Sequence, residues 1–184
     1  MASPRILLHG YGNPGRLDDG LGPALAEHFE AADLPQVTVD ADYQLQVEVA
    51  AAAAQHDLVV FVDAACSGAE PFEVHAVQPG DGLTFSTHSV SPADVMGLAR
   101  RLFDARCPAF IVGVRGYDFD GFGERLSERA IGNLREAIEF LESALRGDPL
   151  AELLRSARRS NSTAAAAVSP TAPCGSELCK TAST

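Results

Sequence analysis

The segment that most constrains the fold is an apolar run at residues 58–62 that ends in Asp63. A strand without alternation of apolar and polar residues has to be covered on both faces, which is typical of a central strand in a parallel sheet. Helices that cover both faces of such a sheet produce three layers. The hydrophobic fraction of the chain, 46%, is enough for a core of this kind.

Strand and helix patterns alternate from residue 6 to residue 145. Strands are predicted at residues 6–9, 37–40, 58–63, 72–77 and 110–114, and helices at 21–31, 47–55, 91–105 and 126–145. The connection before Phe72 is too short for a parallel crossover, so the strand it leads into is predicted to run antiparallel to the third. The expected fold is an α/β three-layer sandwich: a mostly parallel five-stranded sheet, with one strand antiparallel and helices on both faces.

The composition changes near Gly147. After Ser160 the chain consists mainly of Ser, Thr, Ala and Pro, and such a segment buries too little apolar surface to offset its ordering entropy. We therefore predict one domain over residues 1–147 and a largely disordered C-terminal extension over residues 148–184, in which leucines at 150–154 lengthen the last helix or form a short one. Cys174 and Cys179 in the extension make a poor metal site, because no histidine lies near them.

Charge and the N-terminus exclude several classes of protein. The formal net charge is −11 and no basic stripe is visible, which argues against nucleic acid as a partner. No apolar run is long enough to span a membrane. The first strand begins so early that no secretory signal fits before it, so we expect a cytoplasmic protein whose cysteines are thiols. Cys66 is expected to be buried, and His9 to be structural or exposed.

The glycines at positions 10, 12 and 15 match the dinucleotide-binding fingerprint, and Asp40 stands where that fingerprint has a ribose-binding acid. In the fingerprint, the helix begins among the glycines and its N-terminus binds pyrophosphate. Here Asp18 and Asp19 follow the glycines and would repel pyrophosphate. Dinucleotide binding is therefore disfavoured.

Carboxylate and imidazole side chains, which can bind metals or transfer protons, follow the ends of predicted strands. Asp18 and Asp19 come after the first strand, Asp63 ends the third, and His88 lies on the return toward the same end of the sheet. Sites in open α/β sheets form beyond the carboxyl ends of the parallel strands. Two carboxylates and one imidazole there predict a three-ligand site for a divalent metal with open positions. Of the aspartate pair, one is expected to point inward and the other to hydrogen-bond the turn or cap a helix.

The segment from Gly10 to Gly15 also resembles the opening of peptidyl-tRNA hydrolases. Those enzymes continue with Arg-His-Asn, which contains their catalytic histidine, whereas this chain continues with Leu-Asp-Asp-Gly at residues 17–20. The chain also has no basic surface for tRNA. A peptidyl-tRNA hydrolase-like activity is therefore a less favoured alternative.

The whole pattern resembles the [NiFe] hydrogenase maturation proteases. The motifs that carry the resemblance are Gly12-Asn13 followed by Asp18-Asp19-Gly20-Leu21-Gly22, Val62-Asp63-Ala64 at the end of the third strand, and Thr87-His88-Ser89 before a helix. Many members of that family have Asp-Gly-Gly after the second strand, where this chain has Asp40-Ala41-Asp42. Because that region is thought to recognise substrate, the difference leaves the choice of substrate open.

The resemblance implies an endopeptidase that removes a C-terminal extension from a hydrogenase large-subunit precursor after nickel has been inserted. It assigns Asp19, Asp63 and His88 as the catalytic residues and as the ligands of that nickel. The nickel is supplied by the substrate, and no organic cofactor is expected. Substrate-binding residues are Asn13, Asp40 and Gln44. The expected partner is the precursor, with no nucleic acid and no membrane, and the protein is expected to be a monomer.

The residues leave the chemistry of hydrolysis open. A metal can polarise the carbonyl or activate a water, or a carboxylate can act on water as a general base. Asn13 either donates to a developing oxyanion or holds the glycine turn. The same ligands also suit a nickel-binding chaperone that does not hydrolyse anything.

Overall fold

The computed structural model describes residues 3–80 and 90–166, with side chains described up to residue 162. It contains a five-stranded sheet in the order β2-β1-β3-β5-β4. The strands are β1 Ile6–Tyr11, β2 Val37–Asp42, β3 Leu58–Ala65, β4 Phe72–Ala76 and β5 Ala109–Arg115. The first three strands and β5 are parallel, and β4 pairs antiparallel with β5 at the sheet edge. The predicted α/β three-layer sandwich is confirmed.

Helices cover both faces of the sheet. They are α1 Leu21–Ala32, α2 Val49–Ala53, α3 Pro92–Phe103, α4 Glu128–Arg146 and α5 Pro149–Ala166. Helices α1, α4 and α5 share one core cluster with alternate residues of the strands, and α2 and α3 share a second cluster with the other set. Every residue of β3 from Leu58 to Ala64 is buried, as its unbroken apolar run predicts. None of the helices in the described residues is long and apolar enough to cross a membrane.

The start of α3 is fixed by a capping box. The Ser91 hydroxyl accepts a hydrogen bond from the Asp94 amide at 3.2 Å, and the Asp94 carboxylate accepts one from the Ser91 amide at 3.0 Å. Pro92 occupies the first turn, where the absence of an N–H costs nothing. The helix start predicted at Ser91 is therefore confirmed.

The C-terminal region departs from the disorder predicted from Ser160 onward. Pro149–Ala166 forms α5, and its residues Leu153 and Ala157 are buried in the core cluster of α1 and α4. The Ser160 hydroxyl accepts a hydrogen bond from the Val74 amide of β4 at 3.0 Å. The Leu and Ala spacing at 153 and 157 puts both on one helix face, so this helix is stabilised by packing against the sheet. Residues 167–184 lie outside the described part of the chain.

The end of β1 and the start of α1 approach each other more closely than side chains allow. A Cβ on Gly22 would lie 2.3 Å from the Tyr11 carbonyl oxygen and 2.7 Å from the Val62 carbonyl oxygen. Gly12 has φ +138°, and a Cβ there would lie 2.0 Å from the Asp19 carbonyl oxygen. The glycines therefore allow backbone to pack on backbone, which holds the Asp18–Asp19 turn against the ends of β1 and β3.

This packing predicts a large cost for one added methyl group. Gly22→Ala should lower the free energy of unfolding by at least about 2 kcal/mol, because overpacking against backbone forces the helix to move. The matched control is Gly132→Ala in the middle of α4, where an added Cβ meets nothing within 4 Å. That variant should gain about 0.5–1 kcal/mol, the helix preference of Ala over Gly. Urea denaturation measures both, and equal effects of the two variants would contradict the close approach.

Candidate functional site

Asp19 is held by the turn that follows β1. Its carboxylate accepts a hydrogen bond from the Asn13 amide at 2.9 Å, and it lies in the 3-10 turn Leu17–Gly20 that leads into α1. The Asn13 side-chain carbonyl accepts a hydrogen bond from the Gly15 amide, also at 2.9 Å. Asn13 thus ties the glycine turn together through both its amide and its side chain, and Asp19 remains half-buried at the carboxyl edge of the sheet.

Asp18 has a different environment from its neighbour. It is fully buried, and its carboxylate accepts hydrogen bonds of 2.7–3.0 Å from the Tyr117, Asp118 and Ser127 amides and from the Ser127 hydroxyl. Burial opposes ionisation, but these hydrogen bonds outweigh it and lower the pKa of Asp18 below 3.8. Asp18 therefore fastens the segment between β5 and α4, and it is the member of the pair that points inward.

Asp63 is the buried acid of the site. It is 8% exposed, its carboxylate accepts a hydrogen bond from the Ala64 amide at 2.8 Å, and it interacts with the Tyr11 hydroxyl. Burial and the charge of Asp19 raise the pKa of Asp63 to about 7, although the Ala64 and Tyr11 hydrogen bonds act in the opposite direction. A carboxyl that titrates near neutral pH can both hold and release a proton under ordinary conditions, as general acids and bases do.

Tyr11 was not among the predicted site residues. Its hydroxyl is the side-chain partner of Asp63, and burial together with the Asp63 charge raises the pKa of Tyr11, so it stays a hydrogen-bond donor. β1 and β3 pair in the register Gly10 with Val62, which puts Tyr11 beside Asp63. Residue alternation alone places Tyr11 on one face of β1, but the strand pairing is needed to bring it to Asp63.

The structure brings together some of the predicted residues and separates others. Asp19 and Asp63 lie at the ends of neighbouring strands and interact electrostatically. His88, the predicted third ligand, lies outside the described residues. Asp40 is exposed on β2, two strands away from Asp63, and Gln44 is exposed in the turn after β2. Asp40 and Gln44 therefore lie on the β2 side of the sheet, with β1 between β2 and the strand that carries Asp63.

The structure also shows the exposure of two residues outside the predicted site, Cys66 and His9. Cys66, expected to be buried, is exposed just beyond the end of β3, because that strand ends at Ala65. His9, expected to be structural or exposed, is fully buried on the sheet face that carries Tyr11. Burial lowers the pKa of His9, although the charges of Asp40 and Asp42 act in the opposite direction.

The chain is similar in structure to several [NiFe] hydrogenase maturation proteases. The [NiFe] hydrogenase maturation protease HycI from Thermococcus kodakarensis KOD1 has a TM-score of 0.61 and 25% identity, over 78% of this chain and 93% of that one. The hydrogenase maturating endopeptidase HybD from E. coli has a TM-score of 0.58 and 22% identity, over 77% and 92%. A hydrogenase 2 maturation peptidase from a Thaumarchaeota archaeon has a TM-score of 0.57 and 21% identity, over 77% and 97%.

The other comparisons give no match. No protein-family model matches the chain, and no curated protein matches it. The structural similarity to these proteases nevertheless confirms the resemblance inferred from the strand-end motifs, because the chain shares their fold.

The contrast between the two adjacent aspartates predicts effects on stability of very different size. Asp18→Asn should lower the free energy of unfolding by at least about 2 kcal/mol, because an amide group cannot accept all four hydrogen bonds and leaves buried donors unpaired. Asp19→Asn should change the free energy of unfolding by less than about 1 kcal/mol, because the side-chain oxygen that remains at position 19 can still accept a hydrogen bond from the Asn13 amide. Denaturant unfolding at pH 7 compares the two, and equal losses would contradict the assignment.

The raised pKa of Asp63 predicts a pH dependence of stability with a defined sign. Between 3.8, its unperturbed value, and about 7 in the folded protein, only the unfolded state loses the Asp63 proton as pH rises. The contribution of Asp63 to stability therefore falls across this window and is constant above it. Asp63→Asn should become more stable relative to the original protein between pH 4 and pH 8, by several degrees in Tm.

Gly132→Ala changes no titratable group and is the control for this measurement. Its difference in Tm from the unsubstituted protein should be the same at pH 4 and pH 8. If the Asp63→Asn difference is also independent of pH, the inferred protonation of Asp63 in the folded state is wrong.

Proposed function

We propose that this chain is an endopeptidase of the hydrogenase-maturation type, which removes the C-terminal extension of a nickel-loaded large-subunit precursor. The observation that carries the proposal is the pair Asp19 and Asp63 at the carboxyl ends of β1 and β3, where burial and, to a smaller extent, the charge of Asp19 raise the pKa of Asp63. Their position matches the general rule for sites in open α/β sheets. The shared fold with maturation proteases supports this reaction class.

In this proposal the nickel belongs to the substrate. Asp19, Asp63 and His88 contact it with two carboxylates and one imidazole, a donor set that suits nickel. An empty precursor lacks the ion and loses these contacts, so cleavage depends on correct loading. Hydrolysis can proceed by polarisation of the peptide carbonyl by the metal, or by a carboxylate that acts as a general base on water. Both routes require Asp63 in its carboxylate form.

The substrate peptide is proposed to approach from the β2 side. The turn after β2 exposes Gln44 together with Tyr43, which is 69% exposed. Asp40 and Gln44 are the proposed contacts there, and Asn13 contributes through the glycine turn that presents Asp19. No organic cofactor enters this scheme.

Cleavage of a defined precursor tests the proposal. The protein is mixed with the nickel-loaded large-subunit precursor of the same organism, and intact mass spectrometry follows the loss of the C-terminal segment. We expect cleavage of the loaded precursor and none of the nickel-free one. Asp63→Asn, Asp19→Asn and His88→Ala should each slow cleavage by at least about 100-fold, which is the usual scale for loss of a group that assists proton transfer.

Glu30→Gln, at an exposed position of α1, is the matched control and should cleave at the original rate. Binding of the loaded precursor without any mass loss would identify a nickel-binding chaperone and remove the peptidase assignment. Normal cleavage by the Asp63→Asn and His88→Ala variants would leave the peptidase in place and move its site elsewhere.

A further inference from the structure

A buried histidine outside the proposed catalytic set lacks hydrogen-bond partners. His9 is 0% exposed, and its Nδ1 and Nε2 are the buried side-chain nitrogen and oxygen atoms left without a hydrogen bond in the described part of the chain. An imidazole in this position loses its hydrating water without recovering a hydrogen bond. A buried polar group without a hydrogen bond needs an explanation, and an ion bound at one of its nitrogens is one such explanation.

Both nitrogens face carboxylates on the neighbouring strand. His9 pairs in register with Asp40, and Tyr11 pairs with Asp42. Asp40 and Asp42 are two residues apart on β2, so their side chains lie on the same face of the sheet. His9 Nδ1 lies 3.4 Å from Asp40 Oδ2, and Nε2 lies 4.0 Å from Asp42 Oδ2.

We propose that His9, Asp40 and Asp42 form a second metal site, which holds a divalent transition-metal ion of the zinc and nickel type. One ligand atom from each residue lies within 4.8 Å of the other two. Bonds of about 2.0–2.2 Å at tetrahedral angles separate neighbouring ligand atoms by about 3.4 Å. One ion binds through only one nitrogen of the imidazole, so the relevant set is that nitrogen and one oxygen from each aspartate. These three atoms lie within 4.8 Å of one another, and rotation of the two exposed aspartate side chains can bring them to the spacing of a three-ligand site.

The surroundings of the three residues determine which ion fits. The imidazole favours zinc, nickel or copper over magnesium and calcium, which bind mainly through oxygen ligands. The side chains of Asp40 and Asp42 are 51% and 41% exposed, so water or an external ligand can complete the coordination sphere. The buried ring packs on Tyr11 and Phe61, with ring centroids 6.2 and 6.3 Å away, and this packing fixes its orientation.

The second site shares a sheet face with the candidate active site but uses none of its predicted ligands. Tyr11 lies between the two, with its ring against His9 and its hydroxyl on Asp63. The proposal does not depend on peptidase activity, because it rests on contacts within β1 and β2 alone. It gives Asp40 a metal-binding role in addition to the substrate contact proposed above.

Zinc binding to the full chain tests the site. The protein is freed of metal with a chelator and titrated with Zn²⁺ by isothermal calorimetry, and the Asp40→Asn/Asp42→Asn variant is titrated in parallel. We expect the variant to lack one equivalent of zinc, or to bind it at least about 100-fold more weakly, since even outer-shell partners contribute about 10- to 100-fold. Asp63→Asn should retain this equivalent, which separates the site from the one at Asp63.

Three controls make the outcome decisive. Glu27→Gln/Glu30→Gln removes the same charge from exposed positions on α1, at the opposite face of the sheet, and should bind zinc as the unsubstituted protein does. His9→Phe keeps an aromatic ring in the buried position and should lose the same equivalent as the aspartate variant. Mg²⁺ should not compete for it at equal concentration.

Unchanged zinc binding by the Asp40→Asn/Asp42→Asn variant overturns the proposal. Zinc binding retained by a folded His9→Phe variant overturns it as well, because the carboxylates alone would then attract the ion. The side chains of Asp40 and Asp42 are accessible to solvent, so the double variant is expected to fold. Its zinc binding therefore tests the proposal even if the His9→Phe variant does not fold.

Discussion

The arrangement of the candidate site depends on one close contact, between the backbone at the end of β1 and the backbone at the start of α1. Glycines at 12 and 22 permit it, since a Cβ at either position would lie within 2.3 Å of a carbonyl oxygen. The contact forces the chain to turn sharply after Asn13, and the turn brings Asp19 to the end of β3. The spacing that resembles a phosphate-binding loop is thus used to pack a helix on a strand.

Adjacent aspartates in this turn divide two tasks because their hydrogen-bond donors differ. Asp18 receives four donors from the segment between β5 and α4, which satisfy its charge and make it a structural anchor. Asp19 receives the Asn13 amide and retains acceptor capacity for a ligand. The sequence Asp-Asp alone does not tell which is which. The distinction follows from the loop at residues 117–127, which no local pattern connects to residue 18.

The sequence was sufficient for features that depend on local pattern and insufficient for those that depend on strand pairing. The unbroken apolar run before Asp63 predicts a central strand, and from it the layers and the position of Asp63 at the sheet edge. The roles of Tyr11 and His9 require the register of β1 against its two neighbours, which involves residues 30 to 50 positions away. The length of helix α5 was underestimated for a related reason, since its stability comes from Leu153 and Ala157 packing on the sheet and its polar composition gives little sign of this.

The register also explains why acids gather on one face of the sheet. Asp40 and Asp42 on β2 lie opposite His9 and Tyr11, Asp63 on β3 lies on the other side of Tyr11, and Asp19 interacts with Asp63 at the end of the row. Burial is the main cause of the raised pKa of Asp63, and repulsion from the nearby Asp19 carboxylate adds to it. A cation at the proposed His9 site, or the substrate nickel proposed at Asp63, would relieve this repulsion and favour the ionised state of these carboxylates. Tyr11, in contact with both ends, is the residue through which the two sites can influence each other.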